Sequence, residues 1–380
     1  MGVAHLVSFL PLVLAGRLLS GLQFSTFYFL VRIWPLNRPQ GSVLGPSLYN
    51  IFTCDFPEVV HQEDCSQNIE NLAVRNRTMC AECGGVVCFA DDSTCTVTAK
   101  NEAELSGKLS SKFQVMSNYL KENRLCINTE KTHMMVLCTE QKRRYIDTQS
   151  VTLNTGSETI KATEAERLLG FEVHQNLGFG TFLMTGKDSV VKSLNKRIGA
   201  LKSTAKVSSF KTRLSVCSSL VISRILYMLP LFGGAPEYML EALQKKQNEA
   251  MRLVTRRKWG ERGKLLSTKE LLKQCNYLSV RQMVYYFSVA TVHKTLKQEA
   301  PVYLHDMLCK TLNSGVKHRY PTRTAGKRLV AEASLSIANS SFRWRASTQF
   351  AALPAEIKED QNTQSFLTKL KKHTIEQIDI

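Results

Sequence analysis

The first 54 residues of this 380-residue chain contain no aspartate and no glutamate; the first acid is Asp55. Chemistry that needs carboxylates, whether acid–base or metal-assisted, can draw none from that segment. Long apolar runs are also scarce. Residues 1–34 are largely apolar, but Arg17 interrupts them and Arg32 ends them, and Leu18 to Val31 falls short of the roughly 20 apolar residues a spanning helix needs. Leu6 to Ala15 has the length of a signal-peptide core, yet no basic segment precedes it. A Walker-type glycine loop, an internal repeat and a low-complexity tract are all missing, and the histidines have no spacing that suggests a nucleophilic triad. The 11 cysteines are an odd number. Many sit in apolar runs, which predicts buried, reduced thiols and a nuclear or cytoplasmic setting, not a disulfide scaffold.

Acidic charge is short overall: 32 acids against 50 Lys and Arg leave a net charge of +18. The excess is uneven. Residues 1–54 carry +3, residues 55–100 carry −5 and residues 101–200 carry +3, while residues 201–380 hold 30 basic and 13 acidic residues. A cationic half of this kind predicts a polyanionic partner, nucleic acid ahead of an anionic membrane surface.

Against that background the stretch Gly84 to Ala99, GGVVCFADDSTCTVTA, stands out. Val86–Ala90 reads as a short buried strand and Ser93–Ala99 as a half-buried one, with Asp91-Asp92-Ser93 at the turn between them. Adjacent carboxylates in a plain solvated turn are one reading. Two carboxylates at the tip of a hairpin held in a core are the other, and a hard cation such as Mg²⁺ would relieve their repulsion.

Asn101-x-x-Glu104 predicts a capping box opening a helix, with Leu105, Leu109, Phe113, Met116 and Leu120 along one face. Short β-type runs follow at Arg124–Asn128 and His133–Cys138, with Thr129-Glu130-Lys131 between them, and Arg167–Val173 predicts a small hairpin. The order strand, turn, strand, helix, strand is an α+β pattern with a sheet covered on one face. Beyond about residue 187 helical patterns take over, at 190–203, 208–228, 267–275, 279–297 and 362–374, with another over Leu240–Val254.

Upstream of the hairpin stands RPQGSVLGPSLYNIF, Arg38 to Phe52, a Gly/Pro loop opening into an apolar helix. That loop, then F-A-D-D, a helix, Leu125–Thr132 as L-x-I-N-x-x-K-T, and finally L-L-G-F resembles the palm of a reverse transcriptase. The type it is most similar to is the RNA-directed DNA polymerase of a non-LTR, jockey-like retrotransposon, over roughly residues 38–380.

The resemblance implies a partial right-hand polymerase palm, with an antiparallel sheet plus helices, over residues 38–186. A helical thumb-like region follows at 187–300 and a basic C-terminal region at 301–380. It implies that Asp91 and Asp92 bind catalytic Mg²⁺ or Mn²⁺ and that Lys131 assists the leaving pyrophosphate. Pro39, Gln40, Gly41, Ser42 and Phe89 would lie at the nucleotide and template, and Leu169, Gly170 and Phe171 would form a primer grip. The implied partners are an RNA template, a DNA primer and deoxynucleotides. Polymerases of this family use a third aspartate on a strand before the PQG loop, and residues 1–38 offer none. Residues 1–37 are therefore expected to be a segment foreign to the family, replacing the front of an N-terminally truncated palm. The activity is then impaired, or reduced to nucleic-acid binding alone. Asp55 is expected to be structural.

Two further groups stay open. Cys80-x-x-Cys83 with His61 and Cys65 reads either as a zinc site or as loop cysteines with unrelated neighbours. Phe342-Arg343-Trp344-Arg345 reads as a base-stacking, phosphate-clamping patch or, preferably, as an amphipathic helix burying Phe342, Ala346 and Phe350.

Overall fold

The computed structural model of the chain describes residues 25–35, 45–62, 79–80, 84–90, 92–138, 143–148, 150–156, 158–256, 266–300, 302–312 and 340–378. It divides into two compact units between Gly178 and Phe179; the sequence placed the change near residue 187.

The unit over residues 20–178 is built on a sheet. Its strands are β1 (Ser25–Pro35), β2 (Met79–Cys80), β3 (Gly84–Phe89), β4 (Asp92–Ala99), β5 (Leu125–Ile127), β6 (His133–Leu137), β7 (Thr152–Asn154) and β8 (Thr159–Thr163), in the order β2-β3-β4-β1-β6-β8-β7 with β5 beside the end of β1. All pairings are antiparallel except β6 with β8. The apolar stretch expected to be foreign supplies the central strand: β1 pairs with β4, β5 and β6. A separate hairpin joins β9 (Ala165–Leu168) to β10 (Phe171–His174) through Leu169 and Gly170, whose φ of 50° and 80° suit a tight turn with both central residues left-handed.

Helix α1 (Gly45–Phe52) leaves Leu48, Ile51 and Phe52 exposed, and α2 (Phe56–Gln62) follows. Helix α3 (Glu102–Glu122) begins at Asn101, whose side chain accepts the Glu104 N–H at 2.8 Å. The Glu104 carboxylate accepts from the Lys100 N–H at 2.9 Å, one residue earlier than a reciprocal box would have it. All five predicted core positions of α3 are buried, packed with Phe56, Val60, Val86, Cys95, Val97, Ala99, Met134 and Val136. The architecture is α+β, with helices on one face of the sheet.

Two local expectations are corrected. Ser93–Ala99 is buried throughout, not half-buried. As an interior strand between β3 and β1 it has no edge in water, and Thr96 satisfies its hydroxyl within the sheet, bonded to the Gly85 N–H at 2.9 Å and the Gly85 carbonyl at 3.2 Å. Asp92 and Ser93 belong to β4 and not to the turn, because Phe89 and Asp92 are register partners.

From Phe179 onward the chain is helical: α4 (Val190–Ala205), α5 (Phe210–Cys217), α6 (Glu237–Thr255), α7 (Thr268–Cys275), α8 (Val280–Leu296), α9 (Val302–Leu312), α10 (Phe342–Ala351) and α11 (Thr363–Gln377). The segment read as one helix over 208–228 is α5, then a π-helical turn at Ser218–Ile222 and a short helix at Ser223–Leu226, ended by Met228 at φ 61°. Capping boxes at Ser267 and Ser279 open α7 and α8. Cys217 and Cys275 are core residues, as expected; burial first, and then the Cys275 thiol, push the Cys217 thiol up to about 12.

Phe342, Ala346 and Phe350 are buried with Val289, Leu304, Leu308, Phe366 and Leu370, so the FRWR segment is an amphipathic helix. Its Arg345 is half-buried, donating to the Ser288 hydroxyl at 3.0 Å and the Pro230 carbonyl at 2.6 Å. Burial lowers its guanidinium to about 10, which leaves it charged at neutral pH.

Candidate functional site

Strand alternation sorts the sheet into two faces. Cys95, Val97 and Ala99 of β4, with Met134 and Val136 of β6, lie on the helix-covered face. Asp92, Thr94, Thr96 and Thr98 therefore occupy the other face. The register adds Phe89, Val87 and Gly85 from β3, Arg32, Leu30, Tyr28 and Thr26 from β1, and His133, Met135 and Leu137 from β6. Asp92 is half-buried at one end of this face, flanked in register by Phe89 on one side and Arg32 on the other.

The connection between Phe89 and Asp92 has two residues. Ala90, the first, sits at φ 52°, a left-handed conformation that costs an alanine about 1 kcal/mol. Asp91 lies outside the described residues, as do Pro39, Gln40, Gly41 and Ser42. Beneath the turn, the Ser93 hydroxyl donates to the Cys88 sulfur at 3.5 Å, and burial, opposed by that bond, pushes the Cys88 thiol up to about 11.

Lys131 is exposed on the 3₁₀ turn Thr129–Lys131, capped by the Asn128 side chain accepting the Lys131 N–H at 3.2 Å. The turn joins β5 to β6, which pair with β1 at Ile33 and Leu30 respectively, so Lys131 is carried to the end of the sheet that holds Asp92. The hairpin with Leu169, Gly170 and Phe171 reaches the same end: Glu166 lies 3.5 Å from His133 Nδ1. Phe171 is buried and Gly170 exposed. Asp55 is structural, as expected: its carbonyl accepts the Glu58 and Val59 N–H groups at the start of α2, and its carboxylate accepts the Tyr119 hydroxyl of α3. Burial, and then the Asp55 bond, raise the Tyr119 phenol well above its usual range.

For the zinc reading, Cys80 lies on β2 and His61 near the end of α2, while Cys65 and Cys83 lie outside the described residues. Among the described residues no cluster of three His, Cys, Asp or Glu side chains could hold a metal, and no helix is long and apolar enough to cross a membrane. Eight of the described cysteines, Cys54, Cys88, Cys95, Cys126, Cys138, Cys217, Cys275 and Cys309, form no disulfide. Sequence reasoning missed Arg32 as a neighbour of Asp92. The sequence marks it as the basic residue ending an apolar run, but only the strand register reveals what it stands against.

In the helical unit the cations divide into two sets. Arg213 donates to the Val254 carbonyl at 2.7 Å and to the Ser208 carbonyl, and Arg256 donates to the Ala205 carbonyl at 2.6 and 3.1 Å. These guanidiniums cover the C-terminal carbonyls of α4 and α6, where helix dipoles favour positive charge. Lys196, Lys202, Lys206 and Lys211 are exposed on α4, α5 and the loop joining them.

The sheet unit thus has helices on one face and Asp92 on the other, and the helical unit carries exposed lysines. Residues 36–173 match the reverse transcriptase (RNA-dependent DNA polymerase) family. The chain carries a reverse transcriptase domain of the non-LTR, jockey-like retrotransposon type. It is 23% identical over 233 residues to the probable RNA-directed DNA polymerase from transposon X-element of Drosophila melanogaster, covering 60% of this chain and 22% of that protein. To the RNA-directed DNA polymerase from mobile element jockey of Drosophila funebris it is 23% identical over 221 residues, 58% of this chain and 22% of the relative. The corresponding protein from transposon BS of Drosophila melanogaster is 23% identical over 231 residues, 60% of this chain and 23% of the relative. The chain thus spans less than a quarter of the length of these curated relatives.

Proposed function

We propose that this chain is a reverse transcriptase domain protein of retrotransposon origin that binds an RNA template paired with DNA and adds deoxynucleotides weakly or not at all. The observation that carries the reading is the register around Asp92. Reverse transcriptases work with Mg²⁺ or Mn²⁺, and such an ion takes its ligands from several oxygens. The register partners of Asp92 are an arginine and a phenylalanine, and β1 contains no acid. The described residues do not fit a divalent metal site.

Binding rests on other residues. The 30 basic against 13 acidic residues of 201–380 supply a counter-charge for phosphates, and exposed lysines are free to meet a backbone in which sequence plays no part. Lys131 and the hairpin around Gly170 would face a primer end, and Phe89 its last base pair. Thiols outside any disulfide suit a reducing, nuclear or cytoplasmic setting.

Primer extension on an RNA template with Mg²⁺, run beside filter binding of the heteroduplex, tests the reading. The expected result is binding that weakens steeply with salt and no incorporation above that of the Asp91→Asn, Asp92→Asn variant. Incorporation that disappears in this variant would overturn impairment, and salt-independent binding would overturn the phosphate grip.

A further inference from the structure

Between Asp188 and Glu237 the chain has no acid, and it carries five lysines and three arginines there. Within this stretch α4 passes into α5 through a short loop, Lys206-Val207-Ser208-Ser209. Two apolar side chains are left in water at this tip. Val207 is 91% exposed, and Phe210, the first residue of α5, is 44% exposed. Lys202 and Lys206 precede Val207 and Lys211 follows Phe210, all three exposed.

Single apolar side chains on a surface are ordinary. What sets this pair apart is a backbone held by two guanidiniums. Arg256 donates to the Ala205, Lys206 and Ser208 carbonyls at 2.6, 2.7 and 3.2 Å. The buried Arg213 donates to the Ser208 and Val254 carbonyls. The Ser208 hydroxyl donates to the Thr204 carbonyl at 2.7 Å, and the Ser209 hydroxyl accepts the Thr212 N–H at 3.2 Å. Contacts made from a backbone already fixed lose little to ordering when a ligand arrives.

We infer that Val207 and Phe210 form an apolar wedge that packs on the uncharged sugar and base surface of a nucleic-acid duplex. Lys202, Lys206 and Lys211 take its phosphates on either side. The inference rests on the reading of the helical unit as a nucleic-acid-binding surface. Charge complementarity selects the occupant: an acid-free tip edged with lysines suits a polyanion, and a duplex also exposes apolar surface in its grooves. An anionic membrane has the charge, but anchoring there draws on a broad apolar helix face or a lipid chain. One valine and one phenylalanine are neither. The wedge supplies affinity that salt does not screen, because counterion release counts only the phosphates neutralised.

Filter binding of an RNA–DNA heteroduplex to the full-length chain, over a range of salt, separates the two contributions. Val207→Ser combined with Phe210→Ser should weaken binding roughly tenfold at every salt concentration. The slope of log affinity against log salt should stay as it was. Val207→Ile with Phe210→Tyr should keep the affinity, and urea unfolding should be the same for all three proteins. Equal affinity of the serine variant and the unaltered protein would overturn the wedge and leave the phosphate grip standing. A loss confined to low salt would overturn it as well. No heteroduplex binding by the unaltered protein would sink the nucleic-acid reading itself. Vesicles of phosphatidylserine and phosphatidylcholine form the last arm: sedimentation that needs Val207 and Phe210, with heteroduplex binding indifferent to them, would assign the tip to a membrane and overturn the inference.

Discussion

Residues 20–178 and residues 179–380 use positive charge in different ways. In the sheet unit Arg32 is the register partner of Asp92 across β1 and β4. The helical unit holds many cations, and their hydrogen bonds divide them: Arg213, Arg256 and Arg345 donate to backbone carbonyls, while Lys202, Lys206 and Lys211 are exposed to water. Net charge therefore overstates what a basic domain offers a polyanion. A guanidinium can hold protein to protein through planar donors while a lysine's compact charge stays in water, so the binding contribution of this half should follow its lysines more than its total charge.

The largest expected effect tests that division directly. Arg345→Met leaves the Pro230 carbonyl and the Ser288 hydroxyl without their donor inside a core, and should cost about 3 kcal/mol in urea unfolding. The protein that remains folded should bind heteroduplex as before; a loss of affinity would break the comparison. Next, replacing Lys202, Lys206 and Lys211 together with Gln should weaken binding at low salt by roughly tenfold or more and flatten the salt slope by about 2 to 3, with unfolding unchanged.

Within the sheet unit, Tyr119→Phe removes the hydroxyl that joins α3 to Asp55 and should cost about 1 kcal/mol without altering binding. The smallest effect concerns His293, stacked on Phe366 with ring centroids 3.7 Å apart and contacting the Asp360 carbonyl at 3.3 Å. Burial holds its pKa below the ordinary value. The unfolded chain takes up a proton near pH 6.5 while the folded one resists, so stability should be present above that pH and fall as the solution is acidified. His293→Phe should flatten the slope of midpoint against pH between 7 and 5.

Much of the helical half was legible in the sequence because its signals are local. The spans expected to be helical at 267–275 and 279–297 match α7 and α8, which capping boxes at Ser267 and Ser279 open, and the apolar spacing of α3 and α10 requires no distant partner to interpret. The hairpin of β3 and β4 was visible through its apolar runs, but its turn was placed too late, over Asp91–Ser93 when β4 already begins at Asp92, since register depends on hydrogen bonds that composition does not carry. The threonines of β4 read as water-facing because a hydroxyl looks polar wherever it is placed; their burial follows from strands on either side. Most hidden was β1. A central strand lacks the alternation that betrays a half-buried one, so 25–35 passed as an apolar tract and Arg32 as its end. The fate of Arg345 was equally unreadable, because its partners lie 57 and 115 residues away.

The central position of β1 also bears on how the chain is made. Arg32 must wait for Asp92, and Thr26 for Leu137, separations of 60 and 111 residues. At about 5–20 residues per second a ribosome needs roughly 3 to 22 seconds to deliver those partners. Throughout that interval an eleven-residue strand as apolar as STFYFLVRIWP stands unpaired, open to any other edge. The early part of synthesis is thus the hazardous one, and a nascent chain would gain most from a chaperone before β4 emerges.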